Sequence, residues 1–177
     1  RYMRGYKNVI NECIRRNEAG EISPLAIETS GHGALSENYY LDDGAYLAVK
    51  LLIAAAKAHA EGKTLSDLIK DLRHPAEARE IRIKITGTDD VKAYGKDVLA
   101  AFEQRAKDKG LRIAAPSYEG VRLIFPGGWA LLRMSLHDPN MPLNIEANAA
   151  GGADRIEHEV RELLAGFDAL DLSGFHA

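Results

Sequence analysis

The chain has a single cysteine, Cys13, among its 177 residues. An internal disulfide and a thiolate metal cluster are therefore excluded, and the composition suits a reducing, cytoplasmic setting. It also lacks any excess of basic charge. The 23 Lys and Arg stand against 26 Asp and Glu, for a formal net charge of −3. The basic residues are scattered, apart from short pairs such as Arg15-Arg16, so nothing favours nucleic acid as a partner. No apolar run is long and uninterrupted enough to suggest a membrane partner. The best one, Ala45 to Ala60, is broken by Lys50, Lys57 and His59 and reads as a buried helix. Internal repeats, low-complexity segments and metal-ligand spacings such as His-Glu-x-x-His are missing too. Gly62-Lys63-Thr64 imitates the end of a nucleotide-binding loop, but the earlier glycine which that motif requires falls on Lys57. No signal peptide is visible. The chain opens with Arg1 rather than Met, which reads as part of a longer protein or a separately made domain.

What remains is an ordinary globular composition, 46% hydrophobic with a mean hydropathy of −0.25. That is enough to bury a core in one or two domains. Tyr6, Val9, Ile10, Cys13 and Ile14 have helical spacing, with Gly20 as the stop. Pro24 to Ile27 is a short apolar run of the kind found in strands covered on both faces. Its neighbouring strands are expected from outside this sequence. Glu28 ends that run, a polar loop, Thr29 to Gly33, follows, and Asp42 or Asp43 caps the helix from Gly44 to Ala60. A second short helix spans Leu65 to Leu72, His74-Pro75 marks a break, and Ala76 to Glu80 reads as a linker.

The second half has cleaner patterning. Ile81, Ile83 and Ile85 alternate with polar residues, as in a half-buried strand. Asp89 or Asp90 caps a helix with the apolar face Val91, Tyr94, Val98, Phe102 and Ala106, ending at Gly110. Strands follow at Leu111–Ala114, Val121–Phe125, Trp129–Leu132 and Leu143–Ala147, with a Pro126-Gly127-Gly128 turn between the middle two. A last helix has Ile156, Val160, Leu163, Leu164 and Phe167 on its buried face, with Asp154 and Glu157 as the capping pair. His158, between two glutamates, reads as solvated. The fold class is thus a partial α/β layer (1–75), followed by an α+β domain (78–177) whose antiparallel sheet carries two helices on one face.

Two polar segments carry chemistry. Arg133, Ser135 and His137 offer a guanidinium, a hydroxyl and an imidazole within one loop that contains Asp138, Pro139 and Pro142. Such a set, beside turn amides, can hold a phosphate. In the other segment, Glu28 can accept hydrogen bonds from adjacent sugar hydroxyls and Ser30 can donate or accept another. Gly31 permits close approach of a ligand, and His32 can bind it or move a proton. Taken alone, each segment is also compatible with a solvated surface turn.

Arg133-Met134-Ser135-Leu136-His137-Asp138-Pro139 resembles the Arg-x-Ser-Gly/Asn-Thr-Glu-Pro phosphate loop of the α-D-phosphohexomutases, and Leu143 to Ala147 resembles the strand after it. Leu136 stands for Gly or Asn, His137 for Thr, and Asp138 for Glu. Glu28-Thr29-Ser30-Gly31-His32 resembles the family's Gly-Glu-x-Ser-Gly-His sugar loop, with Ile27 where the first Gly usually stands. Glu37 to Gly44 is similar to the segment entering the next helix, and Arg1 to Val9 to the segment upstream, where Arg4 and Lys7 are candidates to face substrate.

The resemblance implies the end of the family's third domain and its TATA-binding-protein-like fourth domain. It implies interconversion of hexose 1-phosphate and hexose 6-phosphate (mannose or glucose) through a bisphosphate intermediate. Glu28, Ser30 and His32 would bind sugar, with His32 the candidate for proton transfer. Arg133, Ser135 and His137 would bind the non-transferred phosphate. The phosphoserine and the Mg²⁺ of a complete enzyme would lie on missing N-terminal domains, leaving this part inactive alone and holding no metal. The alternatives are a non-catalytic sugar-phosphate or anion-binding module, and a structural fragment with degenerate loops.

Overall fold

The computed structural model describes residues 2–135 and 138–176. They form two compact units, residues 1–73 and 74–177. Among the described residues, no helix is long and apolar enough to cross a membrane.

The first unit begins with α1 (Tyr6–Glu18). Its burial differs from the apolar face in the sequence, because Glu12 is buried along with Cys13. Glu12 is tolerated because Arg15 and Arg16 both reach its carboxylate, at 2.8 and 2.9 Å. The hydrogen bond from Arg15 is the main reason that its pKa falls to about 2.

The next elements are β1 (Leu25–Ile27) and β2 (Gly33–Leu35). They pair antiparallel, with Leu25 opposite Leu35 and Ile27 opposite Gly33. The neighbour of β1 therefore comes from this chain. Nor is β1 covered on both faces: Ala26 is buried while Leu25 and Ile27 are exposed. The reversal is possible because Gly31, at φ 92°, takes a backbone conformation that side chains disfavour. The amide of Gly31 then donates to the Glu28 carbonyl and that of Glu28 to the His32 carbonyl, both at 3.0 Å.

The helix α2 (Gly44–Ala60) has the expected limits and is capped by Asp43, whose Oδ1 accepts from the Tyr46 amide at 2.9 Å. Its expected burial is not found. Only Ala58 is buried, and Leu52 is 69% exposed. A helix apolar on all sides can be covered only by neighbours on all sides, and α2 packs mainly on β2 and on the turn that follows it. That turn, Leu65–Leu68, is 3₁₀ rather than a longer helix. A reciprocal Thr64–Asp67 capping box starts it.

In the second unit, β3 (Glu77–Ile85) starts earlier than its apolar alternation suggests, so the supposed linker at 77–80 is the first half of a strand. Alternation fails there because residues 77–80 pair with Asn144–Ala147 through backbone bonds that ignore side-chain type. The order continues with α3 (Val91–Asp108), β4 (Arg112–Ile113), β5 (Val121–Phe125), β6 (Gly128–Leu132), β7 (Asn140–Ala147), α4 (Gly152–Leu163) and β8 (Leu170–Asp171). The six strands form one antiparallel sheet in the order β4-β5-β6-β7-β3-β8. Both helices pack on one face of it. Val98, Phe102 and Ala106 of α3 and Ile156, Val160 and Leu163 of α4 share a core with Ile83, Leu123, Leu132, Leu143 and Ile145.

The start of α4 also departs from the sequence reading. Its cap residue is Gly151, and the carboxylate of Glu77, from β3, accepts the Gly151 and Ala153 amides at 2.9 and 2.8 Å. Asp154 and Glu157 do not form the cap. Both pair with Arg79, and Glu157 also accepts from the His176 amide. Burial pushes the Glu157 pKa up, but the bonds from His176 and Arg79 outweigh it and the net shift is down. His158 is solvated, as expected.

Candidate functional site

The Glu28–His32 loop sits at the tip of the β1–β2 hairpin. Glu28 Oε1 accepts the Gly5 amide at 2.7 Å, which ties the loop to the start of α1. Ser30 Oγ lies 3.5 Å from Glu28 Oε2, so that oxygen is only weakly engaged. The carboxylate thus combines a structural contact with acceptor capacity left for a ligand.

His32 is more firmly held. Its Nδ1 lies 2.7 Å from Asp42 Oδ2, and its ring stacks on Tyr6 with centroids 5.3 Å apart. The other Asp42 oxygen accepts the Gly33 amide at 3.2 Å. Neighbouring aspartates therefore have separate jobs: Asp43 caps α2, while Asp42 serves the loop. From the sequence the two were interchangeable as caps. Only the bridge pairing Ala34 with Asp42 separates them. Lys7, one of the upstream candidates, has its ammonium 5.9 Å from the Tyr6 ring. Arg4 contributes its carbonyl to Asn8 at 2.5 Å.

The phosphate-loop candidates belong to the second unit. Arg133 leaves the end of β6 with its amide bonded to the Pro142 carbonyl at 3.2 Å. The Ser135 amide donates to the Asn140 carbonyl at 3.0 Å, and Ser135 Oγ accepts the Asp138 amide at 3.2 Å. The two ends of the loop are thereby pinned together. His137 and Leu136 lie outside the described residues. Electrostatically, Arg133 is near a carboxylate. The Glu80 pKa is lowered, mainly by its bonds to Arg82 and Asn144 and in smaller part by the charge of Arg133.

Two glycines that drew no attention in the sequence shape this loop. A Cβ on Gly120 would lie 2.0 Å from the Leu132 carbonyl and 2.7 Å from Arg133 Cα. A Cβ on Gly95 of α3 would lie 2.0 Å from Met134 Sδ, so Met134 fills the notch which that glycine leaves. Gly120 thus lets the chain pass close to the backbone of Leu132 and Arg133, while Gly95 receives the side chain of Met134. Spacing carries no trace of either contact, since both link distant segments.

Chemically, the first unit offers a carboxylate, a hydroxyl and an oriented imidazole, and the second a guanidinium beside a hydroxyl on a pinned loop. Among the described residues, no group of three or more His, Cys, Asp or Glu has the arrangement of a metal site.

Residues 1–75 match the family model for phosphoglucomutase/phosphomannomutase, alpha/beta/alpha domain III. A phosphomannomutase/phosphoglucomutase of Pseudomonas syringae pv. tomato is 31% identical over 134 residues, 75% of this chain and 27% of that protein. A probable phosphoglucosamine mutase of Methanocella arvoryzae is 26% identical over 90% of this chain and 34% of its own length. A solved phosphoglucomutase/phosphomannomutase family protein of Burkholderia thailandensis has a similar fold, with a TM-score of 0.70 at 24% identity over 99% of this chain and 33% of that one. The chain therefore spans about a third or less of the length of these proteins. Its architecture agrees with domain III followed by domain IV. Residues 1–75 thus belong to domain III of the phosphoglucomutase/phosphomannomutase family, and the chain is similar to mutases of that name over most of its length.

Proposed function

We propose that this chain is the sugar- and phosphate-gripping part of a phosphohexomutase, working in the cytoplasm. The complete enzyme would interconvert hexose 1-phosphate and hexose 6-phosphate through a bisphosphate intermediate. Glu28 and Ser30 bind sugar hydroxyls, and His32 moves the proton of the reacting hydroxyl. Arg133, Ser135 and His137 hold the phosphate that is not being transferred. Gripping the two ends of the sugar at separate loops fixes its orientation, so either end can be presented to the reacting group.

The observation that carries this reading is the hairpin tip. Its Ser30 and His32 sit on a loop tied down by Gly5 and Asp42, inside the segment that matches domain III. The phosphoserine and Mg²⁺ of such an enzyme are assigned to other domains. On those domains the ion would shield phosphate charge when bound.

The test is Arg133→Ala in a complete mutase that carries this chain. A charge-assisted hydrogen bond contributes about 1.5–3 kcal/mol, so the KM for hexose 1-phosphate should rise about 10- to 100-fold. An unchanged KM removes Arg133 from the site. Glucose 1-phosphate titrated into the chain alone should show binding without turnover.

A further inference from the structure

We propose that Asp42 is a positioning residue that, with the ring of Tyr6, holds the His32 imidazole so that Nε2 is its reactive nitrogen. This rests on the reading of His32 as the proton carrier and adds the group that sets its tautomer. An ionised carboxylate can only accept a hydrogen bond, so the 2.7 Å contact with Asp42 Oδ2 places the ring hydrogen on Nδ1. The lone pair of the neutral ring is then on Nε2, at the opposite edge. Among the described residues Nε2 has no partner, and the side chain is 52% exposed.

Asp42 is well placed for this work. Its backbone is fixed by the bridge to Ala34, and the next amide, that of Asp43, donates to the Gly33 carbonyl at 3.2 Å. Its second oxygen holds the Gly33 amide, the residue directly after His32. One carboxylate therefore grips both the imidazole and the backbone beside it. Helix capping does not account for Asp42, because Asp43 does that. Tyr6 contributes a flat wall, stacked 25° from parallel to the imidazole, which limits rotation of the ring about its own bond. Charged groups near this arrangement include Asp42 itself, Glu28 on the loop, and Lys7 beyond the Tyr6 ring.

The arrangement also suits the proton's return. Nε2 accepts the hydrogen of the attacking sugar hydroxyl as the new oxygen–phosphorus bond forms and the phosphoserine oxygen–phosphorus bond breaks. The imidazolium then faces Asp42 and is stabilised there until, in the second transfer, the sugar oxygen that gives up its phosphoryl group takes the proton from Nε2. A carboxylate behind a catalytic histidine acts in this way by fixing tautomer and orientation, without being protonated itself.

The test separates the positioning from the chemistry. Two-bond ¹⁵N–¹H correlation spectra of the full 177-residue chain should show His32 in its Nδ1–H form. An Nε2–H form in the unmutated chain overturns the proposal without any variant. Asp42→Asn can still accept the Gly33 amide but can turn its NH₂ toward Nδ1, so the Nδ1–H form should be lost. Retention of that form also overturns the proposal. In a complete mutase carrying Asp42→Asn, kcat should fall about 10²-fold, within the range for acid–base catalysis, with KM changed less than about 3-fold. Asp42→Glu should recover part of the loss. If the tautomer switches and kcat does not move, Asp42 still positions the ring, and the reading of His32 as proton carrier is what fails.

Discussion

The two units of this molecule have similar proportions of apolar residues and use them to very different effect. In the second, every amphipathic element finds its partner within the unit. The stripe on α4 meets β3, β6 and β7, the face of α3 meets β4 and β5, and Phe102, Leu143 and Leu163 are fully buried. In the first, the buried cluster is Cys13, Ala26 and Ala34, with Val9, Ile10 and Tyr40 partly covered, while Val49, Leu51, Leu52 and Ile53 of α2 face outward. The matched domain is described as alpha/beta/alpha, an architecture that needs a sheet wide enough to be covered on both faces. A hairpin of two short strands gives α2 too little to pack on. Apolar content thus measures the surface that needs covering, and the topology determines whether covering is available.

The sharpest way to break this comparison is dissection. Residues 74–177 alone should show a cooperative thermal transition, whereas residues 1–73 alone should melt gradually, as followed by circular dichroism. A sharp transition in 1–73 would mean that its small cluster is sufficient after all. Next in size is a matched pair of truncations. Phe102→Ala removes a fully buried ring and should cost about 3–5 kcal/mol. Leu52→Ala removes an exposed side chain and should stay within about 0.5 kcal/mol. Chemical denaturation followed by the fluorescence of Trp129, the one tryptophan, reads the second unit for the Phe102 variant. Far-ultraviolet dichroism serves for Leu52, which lies in the other unit.

Gly95→Ala should have an intermediate effect. The added methyl would meet Met134 Sδ at 2.0 Å and must expel that side chain, at about 1–3 kcal/mol. The same change should weaken phosphate binding by the proposed Arg133–Ser135 loop in a complete mutase, because Met134 lies between those residues. Gly95→Ala with unchanged stability would show the notch to be slack.

Acid should expose the smallest difference. Glu12 and Glu77 both have folded pKa values below the ordinary value for a glutamate, Glu12 chiefly through Arg15 and Glu77 chiefly through the Ala153 amide. Each therefore stabilises its unit above the unfolded pKa, and that contribution fades as pH falls through the folded value. Glu12 should retain part of its contribution down to about pH 2. Denaturation midpoints for Glu12→Gln and wild type should converge only near that pH. For Glu77→Gln, a gap that widens on acidification would contradict the sign.

Much of the second unit was legible because its periodicities were undisturbed. The alternation of Ile81, Ile83 and Ile85 and the spacing of Val98, Phe102 and Ala106 each report one buried face. Residues 77–80 escaped because backbone pairing places them in a strand while their side chains stay polar or small. The cap of α4 escaped because Glu77 is supplied from another element, and the local Asp154–Glu157 pattern pointed to the wrong donors. In the candidate site, the residue types of Glu28, Ser30, His32, Arg133 and Ser135 were visible as chemistry. What holds them in place was not: Gly5 on Glu28, Asp42 and Tyr6 on His32, and Gly95 and Gly120 beneath the Arg133 loop.

By itself the sequence determined most of the segments that become helices and strands, and which side chains carry the chemistry to meet a sugar or a phosphate. Those properties follow from hydrophobic period, capping residues and functional groups, all of which are local. The tertiary structure alone decided that Asp42 rather than Asp43 meets His32, that a distant Glu77 closes α4, and that α2 is left uncovered. Each of those depends on which strand pairs with which and in what register, and residues far apart in the chain meet only once that pairing is made.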